Sequence, residues 1–122
     1  MIGYVTLGTN DLARATAFYD ALLATIGAGR VMEGERYVAW GVAPDKPALG
    51  AIVPFDGQPA TVGNGTMVAL VVDSKDKVAA LHGKALELGA KDEGAVGYRG
   101  DNFYAGYFRD LDGNKLNVFC MG

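Results

Sequence analysis

Apolar and polar positions change period along the chain in a fixed order, and that order occurs twice. Ile2 to Leu7 alternates and is rich in β-branched residues, which predicts a strand. Asn10 and Asp11 then offer capping oxygens ahead of Leu12, Ala15, Tyr19, Leu22 and Ile26, whose spacing predicts a helix that stops at Gly27. A shift of 63 residues repeats the pattern. Met67 to Val72 reads as a second strand, Asp73 and Ser74 as a second cap, and Val78, Leu81, Ala85 and Leu88 as a second helical stripe closed by Gly89.

The remainder of each half matches at a shift of 67, which sets Tyr37-Val38-Ala39-Trp40 over Tyr104-Ala105-Gly106-Tyr107, Asp45 over Asp112, and Leu49 over Leu116. Each module therefore reads strand, helix and three strands, the last two joined by turns at Pro44-Asp45-Lys46-Pro47 and Asp110-Leu111-Asp112-Gly113-Asn114. The expected fold class is α+β: one domain over 1–122, made of βαβββ modules at 1–54 and 66–122 with a linker at 55–65. Two curved mixed sheets follow, each with one helix outside, their concave faces enclosing a cavity. The extra residues of the second module are expected in a long loop from Gly94 to Asn102.

Tyr4-Val5-Thr6-Leu7-Gly8 followed by Asn10-Asp11-Leu12-Ala13-Arg14-Ala15, the Pro54 to Pro59 linker, and Arg109-Asp110-Leu111-Asp112-Gly113-Asn114-Lys115-Leu116 together resemble the vicinal oxygen chelate superfamily. That group contains glyoxalases, extradiol dioxygenases, and fosfomycin- and bleomycin-resistance proteins. The resemblance spans essentially the whole chain and implies a divalent metal held by histidines and carboxylates on the first and last strands of each module. The positions it points to are Tyr4 and Met67 on the first strands, and Gly50 and Asn117 on the last. None is a usual ligand.

Composition sharpens that departure. Divalent metals are held by imidazole, thiolate or carboxylate, yet the stretches 2–7, 49–55, 66–72 and 115–119 contain no histidine, aspartate or glutamate. No bound metal and no other cofactor are expected. A formal charge of −3 offers no footprint for a nucleic-acid backbone. No apolar run reaches the roughly 20 residues that span a bilayer, so no membrane partner is expected. The one cysteine, Cys120, cannot form an intrachain bridge, and Met1 to Thr9 lacks the pattern of a secretory signal. A cytoplasmic location is the expectation, with Cys120 a small buried hydrophobe.

His82 is the single histidine, next to Leu81 on the second helix, where it is expected on the outer surface. No nucleophile–histidine arrangement can be built from it. Strand parity turns Val5 and Leu7 to the helix and Tyr4 and Thr6 inward, joined by Gly50, Met67, Asn117 and Phe119. Trp40 and Tyr107, set over one another by the repeat, either stack on a ligand or serve as core aromatics. Tyr98 and Arg99 could reach over a ligand from the glycine-rich loop.

The resulting candidate site is Tyr4, Thr6, Trp40, Gly50, Met67, Tyr107, Asn117 and Phe119. It suits an aromatic or uncharged small organic molecule. The leading expectation is a metal-free binding protein that assembles as a homodimer. Two others stand beside it: a lyase, isomerase or dioxygenase of the glyoxalase type, and a dimeric scaffold without ligand.

Overall fold

A computed structural model describes all residues 1–122. It contains eight strands and two helices in the order β1 (Tyr4–Gly8), α1 (Leu12–Ala24), β2 (Gly29–Glu33), β3 (Tyr37–Gly41), β4 (Ala48–Ile52), β5 (Val68–Val71), α2 (Lys75–Glu87), β6 (Lys91–Tyr98), β7 (Phe103–Arg109) and β8 (Lys115–Met121). The chain divides into two compact units, Met1–Val62 and Gly63–Gly122, each holding one βαβββ module. No helix is long and apolar enough to cross a membrane.

In the first unit the sheet order is β1-β4-β3-β2, with β1 parallel to β4 and the other neighbours antiparallel. Asp11 caps α1 by accepting a hydrogen bond from Arg14 N at 3.0 Å, a contact worth about 1 kcal/mol. Asn10 makes a different contact. Its Oδ1 accepts from Ala60 N at 2.7 Å and its Nδ2 donates to Ala60 O at 3.2 Å, which ties the segment after β4 back to the start of α1. Gly27, at φ 75°, supplies the left-handed turn that ends the helical region. Alternation along β1 sends Leu7 under the helix, where it joins buried Phe18, Tyr19, Leu22, Val38, Trp40 and Leu49.

The second unit repeats the plan with order β5-β8-β7-β6 and β5 parallel to β8. Ser74 caps α2 by accepting from Lys77 N at 3.2 Å. Val78, Leu81 and Ala85 are fully buried with Phe108, Leu116 and Val118. The β7–β8 turn is organised by Asp110, whose Oδ1 accepts from the backbone N–H groups of Asp112 and Asn114, both at 2.9 Å. Gly113 closes the turn at φ 89°.

The expected loop over 94–102 is corrected. Residues to Tyr98 belong to β6 and pair with β7, the register slipping between Asp92 and Gly94 and again between Gly94 and Gly97. Bulges thus absorb the extra residues within the ladder.

Candidate functional site

Each sheet has one face packed on its helix and one face without a helix, and strand parity decides which side chains reach which face. In the first unit Tyr4 and Thr6 lie on the helix-free face, paired in register with Ala48 and Gly50 of β4. Tyr37 and Ala39 of β3 continue the same rows, opposite Ile52 and Gly50. Tyr4 is 63% exposed, and Met32 and Tyr37 are exposed as well. Gly50 lets the rows approach closely: a Cβ there would stand 3.4 Å from Thr6 Cγ2. This face is uncharged along β1, β3 and β4.

In the second unit Asn117 and Phe119 share the helix-free face of β8. Asn117 sits in register between Ala69 and Tyr107, and Phe119 between Val71 and Ala105. Met67, 40% exposed, immediately precedes β5. Phe119 stacks on Phe103 with ring centroids 4.9 Å apart and planes at 17°. Two cations lie by the Tyr107 ring, Arg99 Cζ at 5.3 Å and Lys115 Nζ at 5.6 Å from its centroid. Arg99 folds back along β6, its guanidinium donating to the carbonyls of Ala95 at 2.7 Å and Gly97 at 3.0 Å. Gly94 makes room for this, since a Cβ would stand 3.1 Å from Arg99 Nη2. Nearby, Arg109 Nε donates to Glu93 Oε1 at 2.6 Å, which holds the Glu93 carboxyl below the usual range. Asn117 is buried, and its Oδ1 has no hydrogen-bond partner.

Two sequence expectations change here. Trp40 is not on the helix-free face with Tyr4 and Thr6: it is buried against α1, its ring 5.3 Å from Tyr19 and its Nε1 donating to Asp20 Oδ1 at 2.8 Å. The reason is register. Trp40 pairs with Leu49, whereas Leu116, the counterpart of Leu49, pairs with Phe108. The first hairpin connection is one residue longer than the second, so Trp40 corresponds to Phe108 and Tyr107 to Ala39. A slip of one residue exchanges the faces of a strand, and it leaves Tyr107 with the candidate residues while withdrawing Trp40 to the core.

His82 is also relocated. It is buried rather than on the outer surface, with Nε2 3.1 Å from the Tyr107 carbonyl oxygen and 3.3 Å from Asp92 Oδ1. A carbonyl only accepts, so in this pairing Nε2 carries a proton and donates it. Gly106 is what admits the imidazole, because a Cβ there would meet His82 Cδ2 at 2.8 Å. The repeat carried this signal: the shift of 63 places His82 over Tyr19, another buried ring on a helix. Cys120 is buried and unbridged. Tyr98 packs edge-on to Tyr104 at 5.0 Å under Lys75, whose Nζ is 4.5 Å from the Tyr98 ring centroid. Its hydrogen bond with Tyr98 raises the Lys75 pKa.

The residues present do not fit a divalent metal. The positions in question hold a phenol and a glycine in one unit and a thioether and a carboxamide in the other, and nowhere do three or more His, Cys, Asp or Glu side chains gather to hold an ion.

A duplicated βαβββ architecture with helix-free faces of this kind defines a class, and the comparisons with known proteins place the chain in it. Residues 1–118 match the family model of the glyoxalase/bleomycin resistance protein/dioxygenase superfamily, and the chain belongs to that superfamily. Among solved structures it is similar to a glyoxalase/bleomycin resistance protein from Albidiferax ferrireducens, with 33% identity, TM-score 0.92, and 100% of this chain and 99% of that one covered. The fold is shared with a lactoylglutathione lyase from Agrobacterium tumefaciens at 22% identity and TM-score 0.71, covering 98% of this chain and 92% of that one. A genomically encoded fosfomycin resistance protein from Listeria monocytogenes shares it at 16% identity and TM-score 0.74, covering 100% and 93%. No curated protein matches the chain.

Proposed function

We propose that this chain is a small-molecule-binding member of the superfamily that takes up an aromatic or uncharged organic compound on its helix-free sheet faces, without a protein-held metal. The observation that carries this reading is the donor set. Tyr4, Gly50, Met67 and Asn117 occupy the positions where the resemblance implies metal ligands, and no cluster of three His, Cys, Asp or Glu side chains exists to replace them. Aromatic platforms are present instead: Tyr4 and Tyr37 on one sheet, Phe119, Phe103 and Tyr107 on the other. In this reading the protein sequesters its ligand in the cytoplasm, a reducing compartment suited to the free Cys120. It acts as a homodimer, since β1 and β5 are end strands of their sheets with unpaired edges, and pairing such edges removes a risk of aggregation.

A thermal-shift screen of the purified protein against aromatic and dicarbonyl compounds, run with and without a chelator, tests the reading. A compound that binds the native state raises the midpoint with its concentration. The expected result is a concentration-dependent shift that the chelator leaves unchanged. A shift that needs added zinc, nickel, iron or manganese overturns it in favour of a metal-dependent lyase, isomerase or dioxygenase. A flat screen favours the scaffold. Sedimentation then tests the dimer, and a monomer at working concentration contradicts that part.

A further inference from the structure

Asn117 is 1% exposed, and its Oδ1 accepts no hydrogen bond. Buried polar atoms in folded proteins are nearly always paired, so an unpaired one in the middle strand of a ladder calls for a donor from outside the chain. Leucine has the same number and branching of side-chain heavy atoms and would carry no such cost.

The surroundings indicate what else that donor brings. On the helix-free face of β8 the order is Lys115, Asn117, Phe119, alternate residues about 6.6 Å apart along the strand. At one end Phe119 and Phe103 form a stacked aromatic floor. At the other, Lys115 and Arg99 approach the Tyr107 ring without a salt-bridge partner, although Lys115 helps Arg109, which lies 2.6 Å from Glu93, to hold the Glu93 carboxyl down. The face is locally cationic although the chain carries a formal charge of −3.

We infer that this face takes a small aromatic carboxylate with an N–H or O–H donor on the ring beside the carboxylate. The ring rests on Phe119 and Phe103, the donor reaches Asn117 Oδ1, and the carboxylate meets Lys115 and Arg99. This inference rests on the small-molecule reading above and narrows its ligand class to aromatic anions.

Calorimetric titration of the full chain with 2-aminobenzoate, 2-methylbenzoate and 2-aminobenzamide tests it. The expected order is 2-aminobenzoate tightest, by about tenfold over each of the others, with affinity falling as salt is raised. Asn117→Leu should abolish the preference for the amino over the methyl compound while leaving the thermal midpoint unchanged or higher, an outcome that a purely structural asparagine would reverse. Lys115→Met should abolish the preference for carboxylate over carboxamide. Equal binding of all three compounds overturns the inference and leaves small-molecule binding standing. So does a preference that survives Asn117→Leu. If none binds and the wider screen is also flat, both readings fall.

Discussion

The two units share one plan yet fasten their helices to their sheets by different chemistry, and the difference extends to the opposite faces. In the first unit Asp20 of α1 accepts from Trp40 Nε1 at 2.8 Å and from Arg30 Nη2 at 2.6 Å, so one carboxylate pins both β3 and β2. In the second unit the pin is His82, which spans from α2 to the Tyr107 carbonyl of β7 and to Asp92 of β6. The first unit places its large aromatic, Trp40, under the helix and leaves small Ala39 and Gly50 on the open side. The second places Phe108 under the helix and fills the equivalent open positions with Tyr107 and Asn117. Both units bury aromatic and aliphatic side chains under the helix, while on the open side only the second sets a buried carboxamide beside cationic groups.

The sharpest way to break this comparison is to delete the two aromatics that the sequence repeat superimposes. Trp40→Ala removes a buried indole and leaves Asp20 without that donor, and should cost about 3–5 kcal/mol by urea denaturation. Tyr107→Ala, on the half-buried helix-free face, should cost less than about 2 kcal/mol. Equal losses would refute the one-residue difference in hairpin length that separates them.

Gly106→Ala comes next. The new methyl would stand 2.8 Å from His82 Cδ2 and 3.0 Å from Val96 Cγ2, and overpacking of this kind should cost about 1–3 kcal/mol. Combining it with His82→Ala should recover part of that loss, because the two side chains compete for one space. Strict additivity would show that His82 is not seated against β7.

The smallest expected effect lies at the first pin. The hydrogen bond from Arg30 holds the Asp20 carboxyl below its ordinary value, with Trp40 Nε1 adding to this. A depressed folded-state pKa gives stability that is present above about pH 4 and is lost as pH falls through the lowered value. Asp20→Asn should therefore flatten the acid limb of the stability profile below about pH 4. Its cost at neutral pH should be under about 1 kcal/mol, since the ion pair is substantially exposed and screened. An unchanged acid limb would remove Asp20 from the account of the first unit.

Most of the architecture was legible in the sequence because binary patterning and caps are local signals. Leu12 to Leu22 and Val78 to Ala85 announce their helices, Asp11 and Ser74 their starts, and the repeat announces the duplication. Faces were legible where parity is anchored by a helix contact, as for Tyr4, Thr6, Asn117 and Phe119. Trp40 was misplaced because its register depends on the length of a turn, which no periodicity records. The bulges at Gly94 were missed for a related reason: a glycine-rich stretch reads the same in a loop and in a distorted strand. His82 shows the limit of residue-type reasoning. A histidine beside an apolar stripe looks solvated until the opposing strand supplies a glycine and a carbonyl, and only its repeat mate Tyr19 hinted at that.

Elemental analysis of the purified chain, alongside its ligand-binding isotherm before and after exhaustive chelation, decides whether ligand binding here proceeds without a protein-held metal. Transition metal far below one equivalent per chain and an unaltered isotherm are expected. One equivalent of zinc, iron, nickel or manganese whose removal abolishes binding would contradict metal-free binding.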